Sequence, residues 1–357
     1  MTQVGRQIVL ASRPQGRPEP NNFRLEEFRL PELHDGEVLV AVEFLSLDPY
    51  MRARMDDRKS YAPPVALGEV MPGEAVARVI ASRSAGYREG DRVLCYSGWR
   101  THAVLAARLL RHIDPRCTPI STALGVLGMP GFTAYAGLRN IGRVRAGETL
   151  VVAAASGPVG SMVGQLARMQ GARVVGIAGG PHKCRYIKEE LGFDVALDHR
   201  EPGLAEMLAV ACPDGIDVYF ELVGGRIWGA VFPLLNTHAR VPVCGLIAQY
   251  DHAVSVMPVP QVRTPGVDAD HPAGLGVAQM MRGILDRSLT LRGFIQHEFA
   301  DQRSDFLDEV APWVHEGRVR YREHIVDGLD RAPEAFMGML AGANFGKMLV
   351  RMDVQRH

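Results

Sequence analysis

The chain has 357 residues, with 40 basic and 40 acidic side chains and therefore a formal net charge of zero. This length exceeds what one ordinary hydrophobic core needs, so two domains are expected, and the balanced charge argues against nucleic acid or an anionic membrane as a partner. No apolar run approaches the length of a membrane span and the first residues lack a signal-peptide core, so we expect a cytoplasmic protein.

The first third of the chain is typical of a β-rich domain. Strand-like segments occur at 6–10, 37–47, 68–81, 91–96 and 101–105, and 23–30 alternates in the same manner. Turns that contain Gly or Pro separate them, and helical patterns are few. Many short strands of this kind predict a partly open β-barrel that ends near Leu127, before a helical stretch begins at Pro130.

The segment from Thr149 to Gly180 carries the clearest pattern in the chain. An apolar strand at 149–154 is followed by a Gly-rich turn at 155–160, a helix that stops at Gly171 and a second strand at 173–178. Backbone N–H groups at a helix start bind anions, and glycine lets a pyrophosphate approach them. The pattern indicates a dinucleotide-binding unit in which Ala155 replaces the first Gly of G-x-G-x-x-G. The alternative is a tight turn that only packs the helix against the strand.

The end of the second strand indicates which dinucleotide is bound. An NAD site usually carries Asp or Glu there to bond the ribose 2′-hydroxyl, whereas this chain has the neutral Ala178-Gly179-Gly180 followed by the cations Lys183 and Arg185. A 2′-phosphate needs space, the absence of a carboxylate and a cation to pair with. This segment meets all three conditions, so it favours NADP(H). The alternative is that these cations are the solvated face of a helix, which suits Arg185 better than Lys183.

Helices and strands continue to alternate after Gly180. We predict helices at 184–191, 204–209, 227–235 and 277–285, and strands at 195–197, 217–221, 239–243 and 289–294, which together make a doubly wound parallel sheet. The segment 250–276 contains four prolines and no periodicity, and a loop of this length is either a functional lid or a disordered segment. A helix at 304–315 and a strand, helix and strand up to Val350 form a tail that we expect to return to the first domain.

The order of these motifs resembles a known family. The chain is similar to the zinc-independent branch of the medium-chain dehydrogenase/reductases, which includes prostaglandin reductase, leukotriene hydroxydehydrogenase, plant double-bond reductase and bacterial curcumin reductase. The resemblance rests on LDPYMRARM (47–55), SYAPPVALGEVMPG (60–73), GMPGFTAYAGL (128–138), AAASGPVGSMVGQLA (153–167), VVGIAGGPHKCRY (174–186), LVGG (222–225), CGLIAQY (244–250) and FMGMLAGANFGK (336–347).

The resemblance implies an α/β protein with two domains. A GroES-like, partly open β-barrel for the substrate would comprise residues 1–127 and 318–357, and a Rossmann doubly wound parallel sheet for NADPH would comprise 128–317. It also implies a cleft between the domains and a homodimer.

By the same resemblance, the cofactor is bound by residues from several motifs. Gly157, Pro158, Val159 and Gly160 would bind the pyrophosphate, and Gly179 and Lys183 would face the 2′-phosphate. The nicotinamide side would be lined by Met129, Thr133, Cys244, Gly245, Leu246, Ile247, Phe294, Ile295, Gln296 and Asn344.

Two positions depart from the family's pattern. His199 stands where a Tyr near the 2′-phosphate is common, so we expect NADPH affinity to weaken between about pH 6 and 8 as an imidazole of ordinary pKa loses its proton. Leu222 stands where Asn usually precedes VGG, which removes a polar contact to the cofactor.

The sequence predicts no metal site. Five cysteines are scattered along the chain and form neither a disulfide framework nor a zinc cluster. Cys95 and His102 are the candidates for a catalytic zinc, but a histidine in a strand-like stretch is far more often an ordinary surface or core residue.

Tyr250 is the residue that we predict for catalysis. A phenol can donate a hydrogen bond to a carbonyl oxygen whose charge grows as hydride arrives elsewhere in a conjugated system, and Tyr250 follows the carboxyl end of a strand, where such sheets bind ligands. The alternative is that it anchors the long loop. Tyr50 and Tyr61 are expected on the substrate side, with packing as the alternative for each.

Three functions are compatible with the sequence. The first is NADPH-dependent reduction of the carbon–carbon double bond of α,β-unsaturated ketones or aldehydes, with small-molecule enones or enals as partners. The second is a quinone reductase or a dehydrogenase of lipid alcohols. The third is an NADPH-binding protein with a structural or sensing role and no turnover.

Overall fold

The computed structural model describes residues 4–58, 60–251 and 276–352. Residues 252–275, which the sequence assigns to a lid or a disordered segment, lie outside the described residues. Contacts divide the chain into two compact units, the first made of Met1–Met129 and Arg322–His357 and the second of Pro130–Tyr321. Within the described ranges, no helix is long and apolar enough to cross a membrane.

The amino-terminal part of the first unit consists of short strands. They are β1 (Val4–Leu10), β2 (Phe23–Arg29), β3 (Glu37–Ser46), β4 (Ala75–Ser82), β5 (Arg92–Cys95), β6 (His102–Ala106) and β7 (Arg111–His112), and one short helix, α1 (Tyr50–Ala53), follows β3. Strands β1 and β2 pair as an antiparallel ribbon. Short 3-10 turns occupy Pro20–Asn22, Ala107–Leu109 and Ile120–Leu124.

The second unit alternates strands and helices. Its elements are α2 (Met129–Gly137, which begins at the last residue of the first unit), β8 (Thr149–Val152), α3 (Pro158–Met169), β9 (Arg173–Ala178), α4 (Pro181–Arg185), β10 (Val195–Asp198), α5 (Leu204–Ala211), β11 (Ile216–Phe220), α6 (Gly225–Val231), β12 (Leu235–Val243), α7 (Val277–Asp286), β13 (Thr290–Gly293) and α8 (Arg303–His315). Short π turns extend α2 and α4, at Leu138–Gly142 and Tyr186–Glu190, and 3-10 turns occupy Phe232–Leu234, Ile247–Gln249 and Gln296–Gln302.

The described strands of the second unit form a parallel sheet in the order β10-β9-β8-β11-β12-β13. From the central strand β8 the chain adds β9 and β10 on one side. It then crosses back and adds β11, β12 and β13 on the other side, which is the doubly wound arrangement. The predicted Rossmann fold is therefore confirmed. The central strands are buried on both faces, as their continuous apolar sequence requires, and Val151, Val175 and Tyr219 have no exposed surface.

The end of the chain completes the first unit. It contains β14 (Glu323–Asp327), a 3-10 turn at Leu329–Arg331, α9 (Ala332–Leu340) and β15 (Lys347–Arg351). In the described residues the larger sheet has the order β14-β15-β3-β4-β5-β7, and β6 pairs with the other part of β3. Strand β15 is antiparallel to β3 and parallel to β14, so the tail returns to the first unit, as expected.

A buried ion pair joins this tail to the end of β3. The Lys347 ammonium lies 2.7 Å from Asp48 Oδ1, with side chains only 3% and 6% exposed. The same ammonium donates to the Leu47 carbonyl at 2.8 Å, and the Ser46 hydroxyl donates to the other carboxylate oxygen of Asp48. Each charge therefore has specific partners inside the unit.

Several element boundaries differ from the sequence prediction, and two of the differences have a clear physical cause. The strand predicted at 68–81 begins at Ala75, because Pro72 has no N–H to donate to a ladder and the preceding residues lie along β1, where Met71 N bonds Ile8 O at 3.0 Å. Strand β12 begins four residues before the predicted position 239, and the left-handed backbone of His238 (φ 65°) interrupts its apolar alternation.

Candidate functional site

The Gly-rich turn of the second unit presents free backbone donors. Gly157 caps α3 and Pro158 occupies its first position, and Ser161 N donates to Gly157 O at 2.9 Å as the first bond of the helix. The N–H groups of Val159 and Gly160 precede that bond, so they have no acceptor within the helix. Such a helix start at the end of a parallel strand is suited to an anionic group.

Close packing of this turn explains its small residues. Ala154 adopts a left-handed conformation with φ 47°, and Ala155 N bonds Ile177 O of β9 at 3.0 Å. A Cβ atom at position 160 would lie 2.5 Å from the Ala154 carbonyl oxygen. Glycine at 160 therefore allows the helix to start directly against the strand end. The turn's left-handed residue is Ala154, immediately before the Ala155 that occupies the motif's first glycine position.

The neighbouring strand ends in Gly179 and Gly180, and its backbone is held by a carboxylate. Asp198 Oδ1 accepts hydrogen bonds from Gly180 N at 2.8 Å and from Arg200 N at 2.9 Å. Although burial opposes them, these bonds lower the pKa of Asp198. Its carboxylate therefore anchors the backbone at the ends of β9 and β10.

Cationic side chains gather around this pair of glycines. A Cβ atom at Gly179 would lie 2.8 Å from His199 Nε2 and 3.2 Å from Arg200 Nε, and Arg226 donates to the His199 carbonyl. Burial, and then the charge of Arg200, lower the pKa of Lys183. Sequence reasoning identified Lys183 and His199 but missed Arg200 and Arg226. Arg200 could have been identified from its position directly after His199 in LDHR, at the end of β10.

The pH dependence expected from His199 is shifted by its surroundings. Burial lowers the pKa of its imidazole below the ordinary 6.5, more than the charge of Asp198 raises it. If His199 faces the 2′-phosphate, its protonated imidazole attracts that group, so the part of the NADPH affinity that depends on His199 should fall as the pH rises. The lowered pKa moves the start of this fall below the pH expected for an ordinary imidazole. Calorimetric titrations from pH 5 to 8 should show the trend in the wild type and a flatter one in His199→Gln; identical profiles would remove His199 from the site.

A buried carboxylate organises the next strand end. Glu221, directly after β11, is 2% exposed, and its Oε1 accepts from Val223 N at 2.7 Å, Gly224 N at 2.8 Å and the Tyr219 hydroxyl at 3.0 Å. Burial raises its pKa against the effect of these donors. Sequence reasoning missed Glu221, because an isolated acid at the end of an apolar strand gives no sign of what it will accept.

The loop that carries Tyr250 rests on this turn. Cys244 N and Gly245 N donate to the Glu221 carbonyl at 3.2 and 3.3 Å, and Ile247 N donates to the Leu222 carbonyl at 3.3 Å. These contacts use the backbone of Leu222, so they do not depend on the Asn usual at that position. Tyr250 follows the 3-10 turn and is half-buried.

Cys244 is half-buried, and its thiol lies near the carboxylate of Glu221. Burial, and then the charge of Glu221, raise its pKa. The thiol is therefore neutral at ordinary pH, and within the predicted nicotinamide-side segment 244–247 it acts as a small apolar group.

The other residues predicted on the nicotinamide side differ in exposure. Phe294 is buried, with its ring 6.3 Å from that of Phe220, and Thr133 is buried in α2. Ile295 is exposed and Gln296 is half-buried. Phe294 thus packs inside the second unit, and its predicted contact with the cofactor remains a prediction.

Four predicted site residues belong to the first unit. Met129 is its last residue before the second unit, and Asn344 Nδ2 donates to Gly346 O at 2.8 Å in the turn before β15. Tyr50 is half-buried and Tyr61 is 64% exposed. Burial, and then the charge of Asp48, raise the pKa of Tyr50.

A further tyrosine of the first unit, Tyr96, was missed by sequence reasoning. Tyr96 is 55% exposed, but partial burial of its phenol, and then the charges of Glu74 and Asp48, raise its pKa to about 12. Its phenol also interacts electrostatically with those of Tyr50 and Tyr61. The phenols of Tyr50, Tyr61 and Tyr96 are therefore neutral at ordinary pH.

Across the described part of the chain, no three His, Cys, Asp or Glu side chains are placed to hold a metal ion. Of the two candidates from the sequence, Cys95 is buried in β5 and the His102 ring nitrogen lies 3.1 Å from Thr101 Oγ1. Each therefore has an ordinary structural environment.

Comparisons with known proteins agree with this geometry. Residues 6–113 match the family model described as the N-terminal domain of oxidoreductase, and residues 158–265 match the one described as zinc-binding dehydrogenase. NADPH-dependent curcumin reductase of Escherichia coli (strain K12) is 49% identical over 98% of this chain and 97% of its own, and prostaglandin reductase 1 of Mus musculus is 40% identical over 94% and 96%. The crystal structure of CurA from Vibrio vulnificus in complex with NADPH has a TM-score of 0.88 and 46% identity, covering 98% of this chain and 99% of that one.

Proposed function

Because this chain belongs to the zinc-independent medium-chain dehydrogenase/reductases, in the branch of curcumin and prostaglandin reductases, we propose that it is an NADPH-dependent oxidoreductase. It reduces the carbon–carbon double bond of α,β-unsaturated ketones and aldehydes. The main structural observation behind this proposal is that the end of β9 has the features of a site for a 2′-phosphate. Two glycines are surrounded there by basic side chains, and the carboxylate of Asp198 is bonded to the backbone.

The described residues fit the cofactor in two places. The N–H groups of Val159 and Gly160 at the start of α3 suit the pyrophosphate, and a side chain at 160 would fill the space between helix and strand. The pair Gly179-Gly180 with Lys183 suits the 2′-phosphate. We assign the nicotinamide side to the segment 244–247, whose backbone is fixed by the turn after β11.

We assign two roles in the reaction to residues of this chain, which are hydrogen bonding to the substrate and lining of the substrate side. NADPH, when bound, supplies the hydride that adds to the β-carbon of the enone. Negative charge then develops on the carbonyl oxygen, and we assign Tyr250 as the hydrogen-bond donor that stabilises this oxygen. Tyr50 and Tyr61 are assigned to the substrate side. Because an enone delocalises the charge, one or two donors suffice, and protonation at the α-carbon completes the saturated product.

The position of hydride delivery tests the reaction. With NADPH deuterated at the transferred position and a simple enone, the saturated ketone should carry deuterium at the β-carbon, detected by NMR and mass spectrometry. Label on the carbonyl carbon would mean ordinary carbonyl reduction. Consumption of NADPH with quinones but not with enones would point to a quinone reductase, and binding without turnover on any acceptor would point to a sensing or structural role.

We also propose a homodimer, formed through one edge of the parallel sheet. Strand β13 ends the sheet order and pairs on one side with β12, and no other described strand lies on its outer side. The preceding helix, α7, exposes Val277, Met281 and Leu285 by 75%, 57% and 77%, and their four-residue spacing places them on one face. An unpaired edge beside an apolar face favours a second copy of the chain as partner.

Charges on this face should break the dimer. The double variant Met281→Asp, Leu285→Asp is expected to sediment as a monomer in analytical ultracentrifugation, since two buried carboxylates would oppose each other across the interface. Val210→Asp provides the control, because Val210 is 82% exposed on α5 and should leave the mass unchanged. A dimer that survives both aspartates would place the interface elsewhere.

Two further assignments complete the proposal. The domain bounds 1–127 with 318–357 and 128–317 are our proposed division of the chain. The cytoplasm is the proposed compartment. It is supported by the five cysteines, which form no disulfide within the described residues, since reducing surroundings keep thiols from forming disulfides.

A further inference from the structure

The side chain of Arg200 covers the paired glycines at the end of β9. A Cβ atom at Gly179 would lie 3.2 and 3.5 Å from two guanidinium nitrogens of Arg200, and one at Gly180 would lie 3.3 Å from a third. The Arg200 backbone is fixed by its N–H bond to Asp198. The guanidinium therefore lies against the surface at which the neutral glycines leave room for an adenosine ribose.

Positive charges outnumber negative ones around Arg200, where the carboxylate of Asp198 interacts with the charges of His199 and Arg200. The proximity of Arg200 contributes to the lowered pKa of Lys183, so two cations are held near each other. Among the described residues, no hydrogen bond or ion pair joins the Arg200 guanidinium to another side chain, and Asp198 Oδ1 is already used by two backbone donors. Two cations held together in this way are stabilised when a bound anion lies between them.

We propose that Arg200 is a second cation for the 2′-phosphate and determines the coenzyme preference together with Lys183. This inference rests on the proposed function. The two side chains are suited to different contacts with the phosphate, because a guanidinium presents planar, paired donors to its oxygens, whereas an ammonium acts as a compact point charge. Arg185, at the end of α4, is the comparable cation to which we assign no contact with the phosphate.

The test measures binding of fragments without catalysis. Isothermal calorimetry of the full chain would compare 2′,5′-ADP, which carries the 2′-phosphate, with 5′-AMP, which lacks it. Arg200→Gln should weaken 2′,5′-ADP about 10-fold to 100-fold, as expected for the loss of charge-assisted hydrogen bonds, and change the affinity for 5′-AMP less than about 2-fold. Arg200→Lys, which keeps the charge but not the paired donors, should fall between the wild type and Gln.

Two comparisons separate the possible outcomes. Arg185→Gln should bind 2′,5′-ADP like the wild type, and Lys183→Ala should weaken it and erode the preference for NADPH over NADH, mainly through KM. A wild type that prefers 2′,5′-ADP and an Arg200→Gln variant that keeps this preference would overturn the role of Arg200 alone. A wild type that binds both fragments equally would overturn the proposed NADPH site itself.

Discussion

Replacing Tyr250 by Phe is expected to lower kcat for enone reduction about 10²-fold to 10³-fold, which is the usual cost of removing one donor to a developing oxyanion. The change removes a single hydroxyl from a side chain at the end of the 3-10 turn Ile247–Gln249. The backbone contacts that fix the segment 244–248 do not involve that hydroxyl, so the Kd for NADPH should stay nearly unchanged. Steady-state kinetics together with NADPH fluorescence titration measures both quantities.

Tyr87→Phe is the matched control for this experiment. The Tyr87 hydroxyl donates to the Leu110 carbonyl at 2.8 Å within the first unit. Neither residue is among those assigned to the reaction, so the loss of this hydroxyl should leave kcat as it is. If Tyr250→Phe kept the wild-type rate, the residue would be an anchor of the following loop and the oxygen would be stabilised by other donors.

Replacing Lys347 by Met should lower the free energy of unfolding by about 3–5 kcal/mol, since it leaves the carboxylate of Asp48 buried without its countercharge. Asp48 and Lys347 are almost completely buried, so water cannot substitute for the ammonium. Urea denaturation, with unfolding of the first unit followed by tryptophan fluorescence, measures the loss. Trp99 suits this purpose because it is fully buried in that unit.

Two variants show whether burial causes the loss. The double variant Asp48→Asn, Lys347→Met removes both charges and should recover much of the lost stability. Arg351→Gln breaks the pair with Asp327 at the other end of β15, where both side chains are more than half exposed, and should shift the urea midpoint little because solvent screens such pairs. Equal losses from Lys347→Met and Arg351→Gln would contradict the argument.

Local sequence determined the second unit to a large extent. The continuous apolar strands, the Gly-rich turn and the glycines at Gly179 and Gly180 are signals that depend on near neighbours, and the parallel sheet follows them closely. A residue that must lack a side chain, such as Gly160, is visible in the sequence because no other residue type fits. The absence of an acid after β9 is likewise a property of the sequence by itself, and it indicates a 2′-phosphate site.

Only the tertiary structure decided which polar side chains come into contact with one another and with these backbone segments. The partner of Asp48 lies 299 positions away at Lys347, and Arg200 reaches Gly179 from the next strand. The sequence predicts His199 near the phosphate but does not reveal the burial that lowers the pKa of its imidazole. The physical reason is that backbone conformation depends mostly on adjacent residues, whereas charge pairing and desolvation depend on groups that meet only when the chain has folded.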